Sequence, residues 1–177
     1  MLFNVDKGSV MHIGRQDEEQ KYELCGQTLN CAVEERDLGV IIHKSLKPAR
    51  QCAQTAKKGN QILGLIKRNI VSRDKFIIMK LYKTMVRPHL EYCAQAWNPY
   101  LRKDIETLER VQRRATKMVK GCHRLSYEER LKYCGLTTLE KRRVRGDLIE
   151  TYKILTNKVE VQHDKFLHWH SILALGA

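Results

Sequence analysis

The hydrophobic period of the chain changes once, at Pro48, and that change limits the possible folds more than any other feature of the sequence. Before it, residues 9–13, 22–24, 27–29 and 38–42 read as short strands separated by turns, the middle pair flanking Cys25 and Gly26. After it the spacing is helical. Cys52, Ala56, Gly59, Leu63, Ile66 and Ile70 follow at intervals of four and three, and Pro48 stands where a first helical turn tolerates proline. This spacing predicts a helix with a narrow buried stripe.

Ser72 is placed to cap a second helix, in which Phe76, Ile78, Met79, Leu81, Tyr82, Met85 and Val86 cover most of the circumference, as expected of a central helix. Pro88 is predicted to kink or interrupt it, and "WNPY" (97–100) to end any helix that resumes after the proline. A third helix sets Leu101, Ile105, Leu108, Val111, Ala115, Met118 and Val119 on one side, and Gly121 stops it. Ser126 with Glu129, and Thr137 with Glu140, read as capping boxes of two further helices. In the last of these Val144, Leu148, Thr151, Tyr152 and Leu155 share a face. The sequence therefore predicts an α+β fold, mostly α. A small β unit over 1–47 precedes a bundle of about five helices over 48–157, and a tail over 158–177 has no period.

The side of the third helix opposite its apolar row carries Lys103, Arg110, Arg113, Arg114, Lys117 and Lys120. Glu106 lies four residues before Arg110 and Glu109 four before Arg113, the favoured order for intrahelical pairs, so those two arginines are expected to be partly neutralised. Arg114, Lys117 and Lys120 have no such partner. The last helix adds Arg142, Arg143 and Arg145, expected to face solvent or ligand. Between positions 102 and 145 there are 14 Lys or Arg against 6 acidic residues, so this segment holds 8 of the 13 excess positive charges. A face solvated only by water is the competing reading. Charge localised in this way is what binding to a phosphate backbone requires, and it points to RNA or DNA duplex held without sequence readout. Tyr100 and Tyr127 are the nearest aromatics able to stack on bases.

Other chemistry has weaker support. Cys122, His123 and Cys134, or His163, His168 and His170 with Cys25 and Cys31, lack the paired spacing of a zinc site, and Cys52 and Cys93 read as core residues. His12, His43 and His89 stand in no nucleophile motif. Gly59 and Gly64 read as close-packing points within a helix, because no phosphate-loop pattern accompanies them. Six cysteines without a signal peptide, and acids at Asp6, Asp17, Glu18 and Glu19 where a transit peptide avoids them, suggest reduced thiols in a cytoplasmic or nuclear setting rather than secretion. No apolar run approaches the ~20 residues of a membrane span.

The blocks "FNVDKGSVMHIGR", "DLGVIIHKSLKP", "LYKTMVRPHLEYCAQAWNPYLRKDIETLERVQRRATKMV" and "LSYEERLKYCGLTTLEKRRVRGDLIETYKIL" closely resemble the C-terminal part of reverse transcriptases from jockey-like non-LTR (LINE-type) retrotransposons. The resemblance runs over residues 1–157. It implies that 1–47 correspond to the end of the polymerase palm, with Leu38 and Gly39 on a strand that helps hold the primer end. It implies that 48–157 correspond to the helical thumb and its extension, which clamp the template and primer. The family's polymerase chemistry uses paired aspartates to hold magnesium ions, and this sequence contains no Asp-Asp dipeptide. Gly8 stands where similar proteins often have cysteine, and the tail departs from the family apart from an echo at "DKF". The expectation is a truncated element copy, with no catalytic residue and no cofactor of its own, whose natural neighbours are the missing palm and fingers. Two further readings are a helical protein-interaction module and the inert product of a decayed element.

Overall fold

A computed structural model describes residues 4, 5, 8–14 and 20–159. Its helices build one core, and three small sheets lie beside it, so the chain is α+β and mostly α. Among the described residues no helix is long and apolar enough to cross a membrane.

The first helix, α1 (Ala49–Asn69), starts directly after Pro48, whose carbonyl accepts the Cys52 N–H at 2.9 Å. Cys52, Ala56, Gly59, Leu63 and Ile66 are buried as the stripe predicts, and Gln51, Thr55 and Ile62 widen it. Gly59 permits the closest approach. A Cβ there would stand 3.1 Å from Val111 and 3.2 Å from Leu90. Gly64 differs from expectation: a Cβ at that position would meet nothing within 4 Å.

A rod then runs from α2 (Lys75–Leu81) through a π turn (Tyr82–Val86) into α3 (Arg87–Glu91). Its cap is Asp74, not Ser72. The Asp74 carboxylate accepts the Phe76 and Ile77 N–H groups at 2.8 and 3.3 Å, while the Ser72 hydroxyl accepts only the Asp74 N–H. The carboxylate stands nearer the free N–H groups of the first turn. Pro88 does not break the rod. The Arg87 N–H reaches back to the Tyr82 carbonyl, and this longer loop makes room for a ring that would otherwise crowd the carbonyl four residues earlier. Ile78, Met79, Tyr82, Val86 and Leu90 are in the core, but Phe76, Ile77 and Met85 face outward, so the rod is central along one side only.

The rod ends at Tyr92, and Cys93 takes a left-handed conformation (φ 51°) before the short α4 (Ala94–Trp97). Cys93 is exposed there, contrary to its reading as a core residue; Cys52 is buried, and burial pushes its thiol up to about 12. Next come α5 (Arg102–Lys117), a short turn closed by Gly121 (φ 81°), α6 (Tyr127–Cys134) and α7 (Leu139–Leu155). The capping box of Ser126 and Glu129 is fully formed. On α7 the cap is Thr138, which accepts the Lys141 N–H at 3.2 Å, whereas the Thr137 carbonyl accepts from Gln112. The apolar face foreseen for α7 is turned outward: Val144, Leu148 and Tyr152 are exposed, while Leu139 and Arg143 are buried.

The strands form three separate pairs. β1 (Ser9–Val10) runs parallel to β4 (Asn30–Cys31), β2 (Glu23–Leu24) pairs antiparallel with β3 (Gln27–Thr28), and β5 (Glu34–Asp37) antiparallel with β6 (Val40–His43). β4 and β5 carry too little apolar alternation to be read from sequence. Leu38 and Gly39 are in the β5–β6 turn rather than in a strand. Both have positive φ, 45° and 86°, which is the backbone of a two-residue hairpin turn. This hairpin docks on the helices through the Ile41 N–H on Gln51, the Arg50–Glu34 pair and the Tyr92 hydroxyl on the Leu38 carbonyl. Among the described residues, Val40 is the one apolar core member that the first 47 positions supply.

Candidate nucleic-acid interface

Beneath the basic helix lies a polar layer that the sequence hid. Glu109 is buried, and its carboxylate accepts from the Tyr127 hydroxyl, the Gln112 amide and the N–H of Leu139, the first residue of α7. Gln112 in turn accepts from the Tyr82 hydroxyl at 2.7 Å. Glu109 therefore meets a helix N-terminus and neutral donors, and it is not the partner of Arg113. Arg113 instead pairs with Glu106 at 3.2 Å and covers the Tyr127 ring at 4.7 Å. Arg110 does not pair with Glu106 through its carboxylate: it donates to the Glu106 carbonyl and the Thr107 hydroxyl.

The last helix divides its arginines. Arg142 is held by Glu91 at 2.5 Å, and that hydrogen bond raises its pKa. Arg143 is only 4% exposed; it donates to the Leu90 carbonyl at 3.1 Å, lies over Trp97, and burial lowers its pKa. Its placement corrects the expectation of a solvent-facing or ligand-facing side chain. Arg145 is exposed and makes no ion pair among the described residues. Tyr127 is half-buried, with Arg113 and Arg130 against its ring, whereas Tyr100 is exposed.

Arg114, Lys117 and Lys120 are brought together. They line a cleft of about 700 Å³ between the C-terminal halves of α1 and α5, joined there by Lys67, Arg73 and His123. Leu63, Gly64, Met118 and Val119 add an apolar lining, and no acidic residue is in the wall. Gly64, open toward this space, adds no side chain to it. Arg73 is partly engaged: its guanidinium donates to the Ile70 and Lys67 carbonyls at the end of α1. Lys67, Arg114, Lys117 and Lys120 make no ion pair among the described residues. Both α1 and α5 finish here, and basic residues in their last turns answer the partial negative charge of a helix C-terminus. A larger cleft, about 850 Å³, lies between the β5–β6 hairpin and α1, but its wall contains Glu34, already paired with Arg50. Leu38, with 83% of its surface exposed, projects at the tip of that hairpin.

No family model, curated protein or solved structure matches the chain. Among the described residues no group of three or more His, Cys, Asp or Glu side chains converges as a metal site. Cys122 and Cys134 are buried against one another, and burial pushes the Cys134 thiol up to about 11. His163, His168 and His170, like most of the 158–177 tail, lie outside the described residues, as do Asp6, Asp17, Glu18 and Glu19.

Proposed function

We propose that the chain is a nucleic-acid-binding unit of the reverse-transcriptase thumb type. It holds a template and primer duplex by the phosphate backbone and performs no polymerase chemistry itself. The observation that supports this reading is the convergence of Arg114, Lys117 and Lys120 with Lys67 on one acid-free cleft, none of them neutralised by a carboxylate among the described residues. Backbone contacts of this kind position a duplex without reading its sequence. The resemblance to jockey-like enzymes agrees with it, and the absence of an Asp-Asp pair leaves no place for the two-metal step. The exposed Leu38–Gly39 turn is the counterpart, in this reading, of the primer-holding segment. The apolar lining of the cleft favours one second reading, a protein-interaction surface for an acidic amphipathic segment.

The test is duplex titration at several salt concentrations with Arg114→Ala, Lys117→Ala and Lys120→Ala combined. Removing each phosphate-binding side chain is expected to flatten the slope of log affinity against log salt by about 0.9. Alanine keeps the helix, so circular dichroism should be unchanged. Arg143→Met serves as the contrast, because a buried guanidinium should leave the slope as it was. An unaltered slope in the folded triple variant would mean that this face is only solvated, and would leave the interaction-module reading.

A further inference from the structure

We infer that a second cleft, between α2 and α6, binds single-stranded nucleic acid that continues from the duplex, by stacking its bases on Phe76 and Tyr133. The inference rests on the phosphate-binding reading above and adds a ligand class to it. The cleft measures about 660 Å³, and its cations Lys75, Lys80, Lys83 and Lys132 come from both sides, with no acidic residue in the wall. Two aromatic rings stand among these charges. Phe76 is 78% exposed and Tyr133 48%.

Exposure of a phenyl ring at the first turn of a helix has no packing explanation here, since the core of α2 is made by Ile78 and Met79. The Lys75 ammonium lies 5.7 Å from the centroid of Phe76 and 4.6 Å from that of Tyr133, so both rings flank one cation. A single strand presents alternating anions and flat faces. Lysines to hold the first and rings to stack the second are the two elements such a surface needs. A duplex keeps its bases inside and uses only the lysines. The position also suits a continuation: Arg73 lines the first cleft and Lys75, two residues on, lines the second.

The experiment compares three probes on the full chain: a blunt duplex, the same duplex with a single-stranded extension of about ten nucleotides, and that extension with abasic sugars. The based extension should tighten binding, and Phe76→Ala with Tyr133→Ala should weaken the tailed probe about tenfold or more while leaving the blunt duplex unaffected. Tyr133→Phe keeps a ring and should retain the gain. Both rings are exposed enough for the fold to survive, which circular dichroism checks. An abasic tail as effective as a based one, or an unchanged tail effect in the double variant, overturns the stacking site. So does an exposed ring pair that binds an acidic peptide while the tail adds nothing. Failure of the blunt duplex to bind sinks the underlying reading instead, and the two failures are thereby told apart.

Discussion

Glu109 shows how much one residue can depend on partners far away in the chain. It lies in a helix whose outward side is basic, and by spacing alone it belongs to the intrahelical pair with Arg113. Its carboxylate instead takes the first N–H of α7 and the hydroxyl of Tyr127, partners 30 and 18 residues away. Nothing local in the sequence signals this. Glu109→Ala would leave buried donors without acceptors, and a loss of about 2–4 kcal/mol in unfolding free energy is expected from urea titration. A loss no larger than that of an exposed Glu106→Ala would show that the network is dispensable. Arg143 escaped the sequence for the same reason, since its acceptor, the Leu90 carbonyl, is 53 residues distant.

Among the elements, those set by short-range chemistry were legible beforehand. The stripe of α1, the polarity of α5 and the capping box of α6 each depend on residues within a few turns of one another. The rotation of α7 was not legible, because its sequence carries apolar residues on more than one side and the choice is made by what Leu139 and Arg143 meet in the core. The two glycines of α1 looked alike in sequence and differ in surroundings. Gly59→Ala presses a methyl against Val111 and Leu90, and the crowding should outweigh the gain in helix propensity, lowering the thermal midpoint. Gly64→Ala meets open space and should raise stability by about 0.5–1 kcal/mol. Shifts of the same sign in the two variants would contradict this packing. As for the candidate site, the trio on and just after α5 could be read from charge and spacing, but Lys67, which joins it from α1, and the separate cleft around Phe76 could not, because other helices bring those residues together only on folding.

For the whole molecule, the imbalance between its two parts predicts its order of opening. The three strand pairs share no common sheet, and among the described residues the β unit gives the core only Val40. Two-stranded pairs of this size have little stability of their own. Hydrogen exchange should therefore be fast through residues 20–43 and slowest around Ile78–Leu90 and in the middle of α5. Equal protection in both regions would show that the sheets hold more than their packing suggests. The shared direction of α1 and α5 has another result. Two helix C-termini close on the same cleft, that of α1 with its Lys67 carbonyl and the adjoining Ile70 carbonyl held by Arg73, and their dipoles disfavour anions there. In the proposed binding mode four side chains override it, Lys67, Arg114, Lys117 and Lys120, of which three are lysines. Acetylation would remove those ammonium charges one by one while leaving the carbonyls in place. In the proposed binding mode, modification of all three lysines would leave Arg114 to meet the polyanion, with Arg73 already engaged by the carbonyls of Lys67 and Ile70.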